Sequence, residues 1–402
     1  MSTAPRYNPE TMVPPVAKTI GRRSLVIGVL FSVIAVVGAA FQPQQFFRGY
    51  LLAFMAWLGV TLGSMAILMI RHLTGGGWGM VIRRVLGAAM RCIPLMTVLF
   101  VPILFGLPYL YVWARPLDGI ADVHLREHLQ DLTRSYLSVH GVLIRALVYF
   151  AIWNLLSFLL TRWSREQDQP GARDNTSRFK AVSGPGLILY AFTISFAIID
   201  WVMSIDPSWI STIYGLILLI GEVLAAMCFA VVVERILVNY KPMSDWLTPD
   251  FVQDHGKWML TFIMLWAYFS FSQWLIIWAG NLPDEITWYM KRLHNGWGTM
   301  GFILAVFGFC VPFVMLLSRP FKRNIRKLVW LAVWLMIIRW VDLFWIIEPN
   351  YSTTLTVTWA DIVVPVAMGG LWLWFFFRNL ASMPLLPVYD ADAKEVLEPA
   401  HG

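Results

Sequence analysis

Ten long apolar stretches, each closed by a basic or aromatic edge, decide what this chain can fold into. They run over about 24–41, 49–70, 88–113, 137–160, 184–205, 209–237, 257–280, 296–317, 328–348 and 355–378. A helix rises ~1.5 Å per residue, so ~20 apolar residues cross a hydrocarbon core of ~30 Å. Runs such as SLVIGVLFSVIAVVGAAF and TIYGLILLIGEVLAAMCFAVVV are far longer than the roughly ten residues that bound most strands. With 58% hydrophobic residues, the sequence predicts an all-α, polytopic integral membrane protein of ten transmembrane helices.

Lys and Arg fix the expected orientation. Of 31 such residues, 23 lie in or beside the even-numbered connections and the two tails, six lie in the odd-numbered connections, and Arg145 and Arg339 fall inside spans. Basic loops stay cytoplasmic, so both termini are expected in the cytoplasm, most simply across a bacterial inner membrane. The same bias explains the net charge of +7 without nucleic acid, because it is spread over short loops such as RPFKRNIRK.

The polar parts are small. Residues 1–23 read as a cytoplasmic N-terminal arm, with no cleavable signal pattern before a retained first helix. Residues 24–161 carry spans 1–4, 162–183 form a polar, Pro- and Gly-containing cytoplasmic linker, 184–378 carry spans 5–10, and 379–402 form an extended cytoplasmic tail. In the outer loop, LREHLQDLTRSYL has an apolar period near 3.6 and predicts a short surface helix. On the inner side, GGGWGMVIRRVLGAAMR predicts a similar one. None is large enough for a catalytic domain, so any chemistry belongs to the bundle or to partner proteins.

Several functions are excluded by missing ligands. Cys92, Cys228 and Cys310 stand singly, with no C-x-x-C or C-x-x-C-H, which argues against iron–sulfur or c-type haem ligation by this chain. Only His140 of the seven histidines falls within a predicted span, which argues against a b haem held by two buried histidines. No P-loop and no H-E-x-x-H occurs. The expectation is a chain with no metal ligands of its own.

What remains are ionisable groups inside the membrane, each costly enough to suggest function. His140 and Arg145 fall in the outer half of span 4, His140 about one turn deep. Asp200 lies toward the outer end of span 5, with Asp206 at the turn that follows. Glu222 falls near the midplane of span 6. Arg339 and Asp342 are neighbours at i, i+3 on span 9, and Asp361 is expected ~9 Å inside span 10. Their bias to the outer half suits a polar cavity or proton half-channel opening outward. Blander readings stand beside this one: Arg339 and Asp342 as a neutral pair locking helices, His140 as an interfacial hydrogen bonder, Asp206 as a cap for span 6. The 21 tryptophans read mostly as an interfacial belt, and Gly59-x-x-x-Gly63 as helix packing.

Two segments are more specific: DWVMSIDPSWISTIYG at 200–215 and FSQWLIIWAGNLPDEITWY at 271–289. Each puts aromatics, a carboxylate and a turn-making Pro at the expected outer surface. In them, and over the ten-span body, the chain resembles the NrfD/PsrC-like family of membrane subunits. Within it the chain is most similar to the ActC/ActF pair of the alternative complex III, a quinol:electron-acceptor oxidoreductase, with short termini more like the ActF branch. The resemblance implies two four-helix bundles, spans 2–5 and 6–9, with spans 1 and 10 peripheral. It assigns Asp200, Trp201, Ser204, Pro207, Trp209, Ser211 and Thr212 to one family motif, and Ser272, Gln273, Trp278, Asn281, Pro283, Asp284 and Glu285 to the other. The implied partners are a homologous NrfD-like subunit, an iron–sulfur subunit, multihaem c-type cytochromes and small membrane subunits. Those partners hold the haem c and iron–sulfur clusters, while quinone or quinol binding by this chain stays open.

The implied role is a metal-free subunit supporting proton conduction and assembly, with His140, Arg145, Asp200, Glu222, Arg339, Asp342 and Asp361 as proton-path candidates. Tyr190, Thr193, Ser195 and Tyr268 are possible bridges toward the cytoplasm. The rival is a secondary transporter or proton antiporter, for which ten spans and midplane acids also suit. An intramembrane enzyme ranks last, since no G-x-S-x-G and no paired-aspartate signature occurs.

Overall fold

The computed structural model describes residues 13–116, 119, 123–169 and 174–386. All regular structure among them is helical, and ten helices are long and apolar enough to cross a membrane. They are α1 (Pro15–Phe41), α2 (Pro43–Thr74), α3 (Arg83–Leu110), α4 (Val139–Glu166), α5 (Thr176–Trp201), α6 (Tyr214–Leu237), α7 (Pro249–Gly280), α8 (Trp297–Leu317), α9 (Ile325–Ile347) and α10 (Ala360–Leu380). The chain is a multi-pass membrane protein. Residues 1–12 of the expected arm, 170–173 of the linker and 387–402 of the tail lie outside the described residues.

The helices correspond to the ten apolar stretches but often run past them. Pro15 at N1 begins α1 well before the apolar run, since a proline there loses no helical hydrogen bond. Helices α4 and α5 reach into the polar linker as far as Glu166 and Thr176. Polar residues at a helix end cost little where headgroups and water meet the backbone, so hydropathy underestimates length. The opposite holds for α6 and α10, which start at Tyr214 and Ala360, about five residues into their apolar stretches. The short helix expected over LREHLQDLTRSYL occurs as Val123–Ser135 with Leu129 buried. The GGGWG segment differs from expectation. Its helix Arg83–Met90 is almost wholly buried and leads through Arg91 and Cys92 into the rest of α3.

Two helices form the centre. In its most apolar window α2 is 89% buried and α6 83%, against 17% for α1 and 22% for α7 and α8. Helix α2 packs on α3, α5, α6, α9 and α10, while α6 packs on α2, α5, α7 and α9. Helix α4 closes against α3 and α5, and α8 against α7 and α9. Helix α1 lies chiefly along α10, where Gly28 and Gly370 meet so closely that a Cβ on Gly370 would stand 2.5 Å from the Gly28 backbone. Such backbone contact is how membrane helices gain dispersion energy without a hydrophobic drive.

Among the described residues, connections at one end of the bundle meet others at that same end. On one face Tyr111 donates to the Trp201 carbonyl, Trp209 to that of Glu285, Tyr351 to that of Leu110, and Trp359 to Gln42. These join the α1–α2, α3–α4, α5–α6, α7–α8 and α9–α10 connections, here called the odd face. On the other, Arg84 pairs with Asp168, and Arg323 with Asp250, while His255 Nε2 lies 2.8 Å from the Trp78 carbonyl oxygen. Successive helices therefore alternate in direction. Not all tryptophans belong to a belt: Trp153 and Trp372 are fully buried mid-helix.

Candidate functional site

A cavity of about 540 Å³ lies between α1, α2, α6, α9 and α10, and Glu222, Arg339 and Asp361 line it together. Its walls are otherwise apolar, and exposed Ile27, Ile362 and Val366 rim it, so it opens on the flank of the bundle. Glu222 is held by glycine packing. A Cβ on Gly63 would stand 2.4 Å from the Glu222 carbonyl oxygen, and one on Gly59 2.9 Å from its Cγ. The small-xxx-small pattern of α2 thus seats α6 at the level of the acid. Tyr190 of α5 donates to Glu222 Oε2 at 3.3 Å, while Oε1 is buried with no hydrogen-bond partner among the described residues.

Arg339 fits only because residue 221 is glycine: a Cβ there would be 1.7 Å from its Nη2. Its guanidinium pairs with Asp342 one turn along α9, as the i, i+3 spacing implies. Asp342 faces a second cavity, also about 540 Å³, between α6, α7, α8 and α9, with Tyr214, Trp266, Gln273, Tyr289 and Phe309 on its wall. The ion pair therefore stands in the partition between two cavities. Asp361 is not ~9 Å deep as expected. It sits in the first turn of α10, accepting from the Thr358 amide at 2.7 Å and hydroxyl at 2.8 Å. Its Oδ1 is unpartnered among the described residues.

The remaining candidates are not part of this cavity. Asp200 is fully buried and grips Arg145 through two bonds, Nε to Oδ2 at 2.9 Å and Nη2 to Oδ1 at 2.7 Å. The Tyr149 hydroxyl donates to Oδ2 at 3.0 Å, and Tyr136 lies under the guanidinium. Both oxygens of this acid are occupied. His140 is the second residue of α4 and exposed; the helix starts two residues later than the apolar run, which removes its expected depth. Asp206 does not cap α6 either, since that helix starts eight residues further on. It pairs with Lys291 and accepts from the Ser208 hydroxyl.

The two motif segments do meet. Ser211 donates to Gln273 Oε1 at 3.0 Å, Gln273 Nε2 to the Tyr289 hydroxyl at 3.4 Å, and Trp209 to the Glu285 carbonyl at 3.0 Å. Trp201 is boxed by Phe54, Phe100 and Phe150, and Ser204 Oγ donates to the Asp200 carbonyl. Pro207 brings its carbonyl oxygen within 3.4 Å of His128 Nε2. Asn281 ends α7 with φ +46°, a conformation Asn tolerates well, and Pro283 opens the helix Pro283–Leu293 with Asp284 and Glu285 in its first turn. Thr212 and Trp278 are exposed, and Ser272 is half-buried.

Sequence reasoning missed four groups. Tyr149 is one. Arg292, 1% exposed, donates to the carbonyls of Trp288, Trp345 and Ile346 and so caps the end of α9; burial holds its pKa down to about 10. Glu348, buried, lies within electrostatic reach of Asp361 and Arg48. Glu234 and His255 are both fully buried near the even face, with His255 Nδ1 3.0 Å from Glu234 Oε2. With His72, which stacks on Phe179, His255 corrects the expectation that only His140 is intrahelical: α2 and α7 extend beyond their apolar cores. The i, i+4 continuation of those helices was the available signal.

Among the described residues no three His, Cys, Asp or Glu side chains gather to hold a metal ion. Among known proteins, no family model and no curated protein matches this chain.

Proposed function

We propose that this chain conducts protons as a metal-free membrane subunit of a quinol-oxidising electron-transfer complex of the alternative complex III kind, in the ActF branch of the NrfD-like family. The carrying observation is Glu222: a carboxyl in the middle of the most buried helix pair, one oxygen bonded to Tyr190, the other buried without a hydrogen-bond partner among the described residues, on a residue that lines a cavity. A lone carboxyl at that depth is expensive unless it is used. Acids at three levels support the reading. Glu234 and His255 stand near the even face, Glu222 lies ~18 Å away along α6, and Asp361 and Glu348 stand at the odd face.

On this proposal the even face is cytoplasmic, with both termini there, in a bacterial inner membrane. Helices α2–α5 and α6–α9 act as two four-helix bundles, with α1 and α10 outside them; the ring of contacts α2–α3–α4–α5 and that of α6–α7–α8–α9 support the two bundles, while α10 also packs on α2. Partner subunits, namely a homologous membrane subunit, an iron–sulfur protein and multihaem cytochromes c, take the electrons at the odd face. The second cavity fits the ring of a lipid-soluble quinone, with Gln273, Tyr289 and Asp342 as its polar groups. A bound quinol would supply two electrons and two protons there.

Gentle-detergent purification with a visible spectrum tests the assignment: stoichiometric c-type haem and iron–sulfur subunits support it. In that complex Glu222→Gln should keep haem content and lower the protons released per electron. Unchanged proton stoichiometry would remove Glu222 from the path. A second reading, a secondary transporter or proton antiporter, draws on the π-helical turn Leu304–Cys310 that interrupts α8 beside the second cavity, as interrupted helices often mark transport sites. A colourless protein purified alone favours it.

A further inference from the structure

At the even face a third cavity lies between α3 and α4, away from the groups considered so far. It has a volume of about 710 Å³, and Arg91, Arg162 and Arg165 stand on its wall with a single acid, Glu166. Arg162 Nε donates to Glu166 Oε1 at 3.0 Å. Arg91 donates to the Ser382 hydroxyl at 2.8 Å and to the Asn379 carbonyl. No acid faces Arg91, whose nearest charges are Arg165 and Arg84, and Arg165 has no ion pair among the described residues. Three cations against one carboxylate leave the cavity positive.

Its remaining lining suits one ligand chemistry. Thr161 Oγ1 is buried without a hydrogen-bond partner among the described residues and can donate to a phosphate oxygen, while Asn154 spends its amide protons on Thr97 and Phe150 and Ser157 its hydroxyl on the Met90 carbonyl. Toward the membrane the polar wall gives way to apolar side chains. Phe158 and Pro94 line the cavity, and Val98 and Leu155, one turn deeper or nearly so, are 66% and 57% exposed. Positive charge and a free hydroxyl near the even end of the helices, next to exposed apolar side chains, match an amphiphile with an anionic head and acyl tails. Basic pockets between membrane helices bind such lipids.

We infer that this cavity is a binding site for an anionic glycerophospholipid, its phosphodiester held by Arg91 and Arg165 and its acyl chains along Val98, Leu155 and Phe158. The site needs no part of the proton-conduction reading. A neutral phosphatidylcholine lacks the net charge, and free phosphate lacks the tails.

The test reconstitutes the whole chain in nanodiscs of phosphatidylcholine with 20% phosphatidylglycerol and counts the lipids that stay bound on re-extraction, by native mass spectrometry. Wild type should retain phosphatidylglycerol selectively. Arg165→Gln, at an exposed position without an ion pair, should weaken that retention about fivefold, the effect of one cation near a membrane surface. Lys327→Gln, an exposed cation at the same face on α9, should leave it unchanged. No selectivity in wild type, an equal loss in both variants, or full displacement of the lipid by millimolar inorganic phosphate would each overturn the inference.

Discussion

Replacing Asp200 with Ala strands Arg145. The change removes both carboxylate partners of the guanidinium and the acceptor of the Tyr149 hydroxyl. Breaking a buried pair from one side destabilises by about 3–5 kcal/mol. Arg145 keeps 24% of its side chain exposed and its bond to the Tyr136 carbonyl, so it can extend toward the odd face along its alkyl stem. That relief puts the ion-pair loss near the low end, about 3 kcal/mol, and the orphaned Tyr149 hydroxyl adds about 1 kcal/mol. The expected total is about 4 kcal/mol. The double variant Asp200→Leu with Arg145→Met leaves no stranded charge and should lie within about 1 kcal/mol of wild type. Equilibrium unfolding in mixed micelles containing sodium dodecyl sulfate, followed by tryptophan fluorescence, measures both. A double variant as unstable as the sum of its two single variants would refute the reasoning, because the cost would then belong to packing and not to unpaired charge.

Gly63→Leu forces a side chain against the Glu222 carbonyl oxygen and should destabilise by about 3 kcal/mol or more. Gly59→Ala meets chiefly the Glu222 side chain, with Cγ at 2.9 Å and Cβ at 3.4 Å and the backbone Cα farther off at 3.6 Å, and should lose about 1 kcal/mol, so the same unfolding assay should rank the two. Gly87→Ala points into open space within a helix and should stabilise by about 0.5–1 kcal/mol. Arg292→Lys cannot span the carbonyls at the end of α9 and should lose about 2–3 kcal/mol, with a change in tryptophan emission because the guanidinium lies 3.6 Å above Trp288. Asp174 accepts from the Thr176 amide and hydroxyl, which hold its carboxyl below the usual aspartate range. Its contribution is therefore complete above about pH 4 and lost as pH falls through the depressed value, and an Asp174→Asn variant should show no such loss in an acid titration of unfolding.

Span number and the existence of each helix were legible because hydrocarbon thickness translates directly into a count of apolar residues. Helix ends were not, since the cost of a polar residue vanishes over the last turn. Misplaced ends explain the errors at His140, Asp361, His72 and His255. Charge partners were legible where they share a helix, as with Arg339 and Asp342. Where they come from different helices they depend on rotation, which an all-round apolar span does not encode: nothing in the sequence pairs Arg145 with Asp200 or Glu222 with Tyr190. Glu222 itself stood out by depth alone. The glycines that seat it were visible as a pattern, but their target on α6 was not.

The pairing of α1 with α10 bears on how the protein is made. Helices enter the membrane in the order in which they leave the ribosome, and α1 has few neighbours other than α10. Its close seat at Gly28 is formed by Gly370. The first helix must therefore wait in lipid, or in the care of the insertion machinery, through the synthesis of the eight that follow. Chains stalled before the tenth helix would carry an unclaimed first helix and a face of α2 left open to lipid, a difference that quality-control proteases could read.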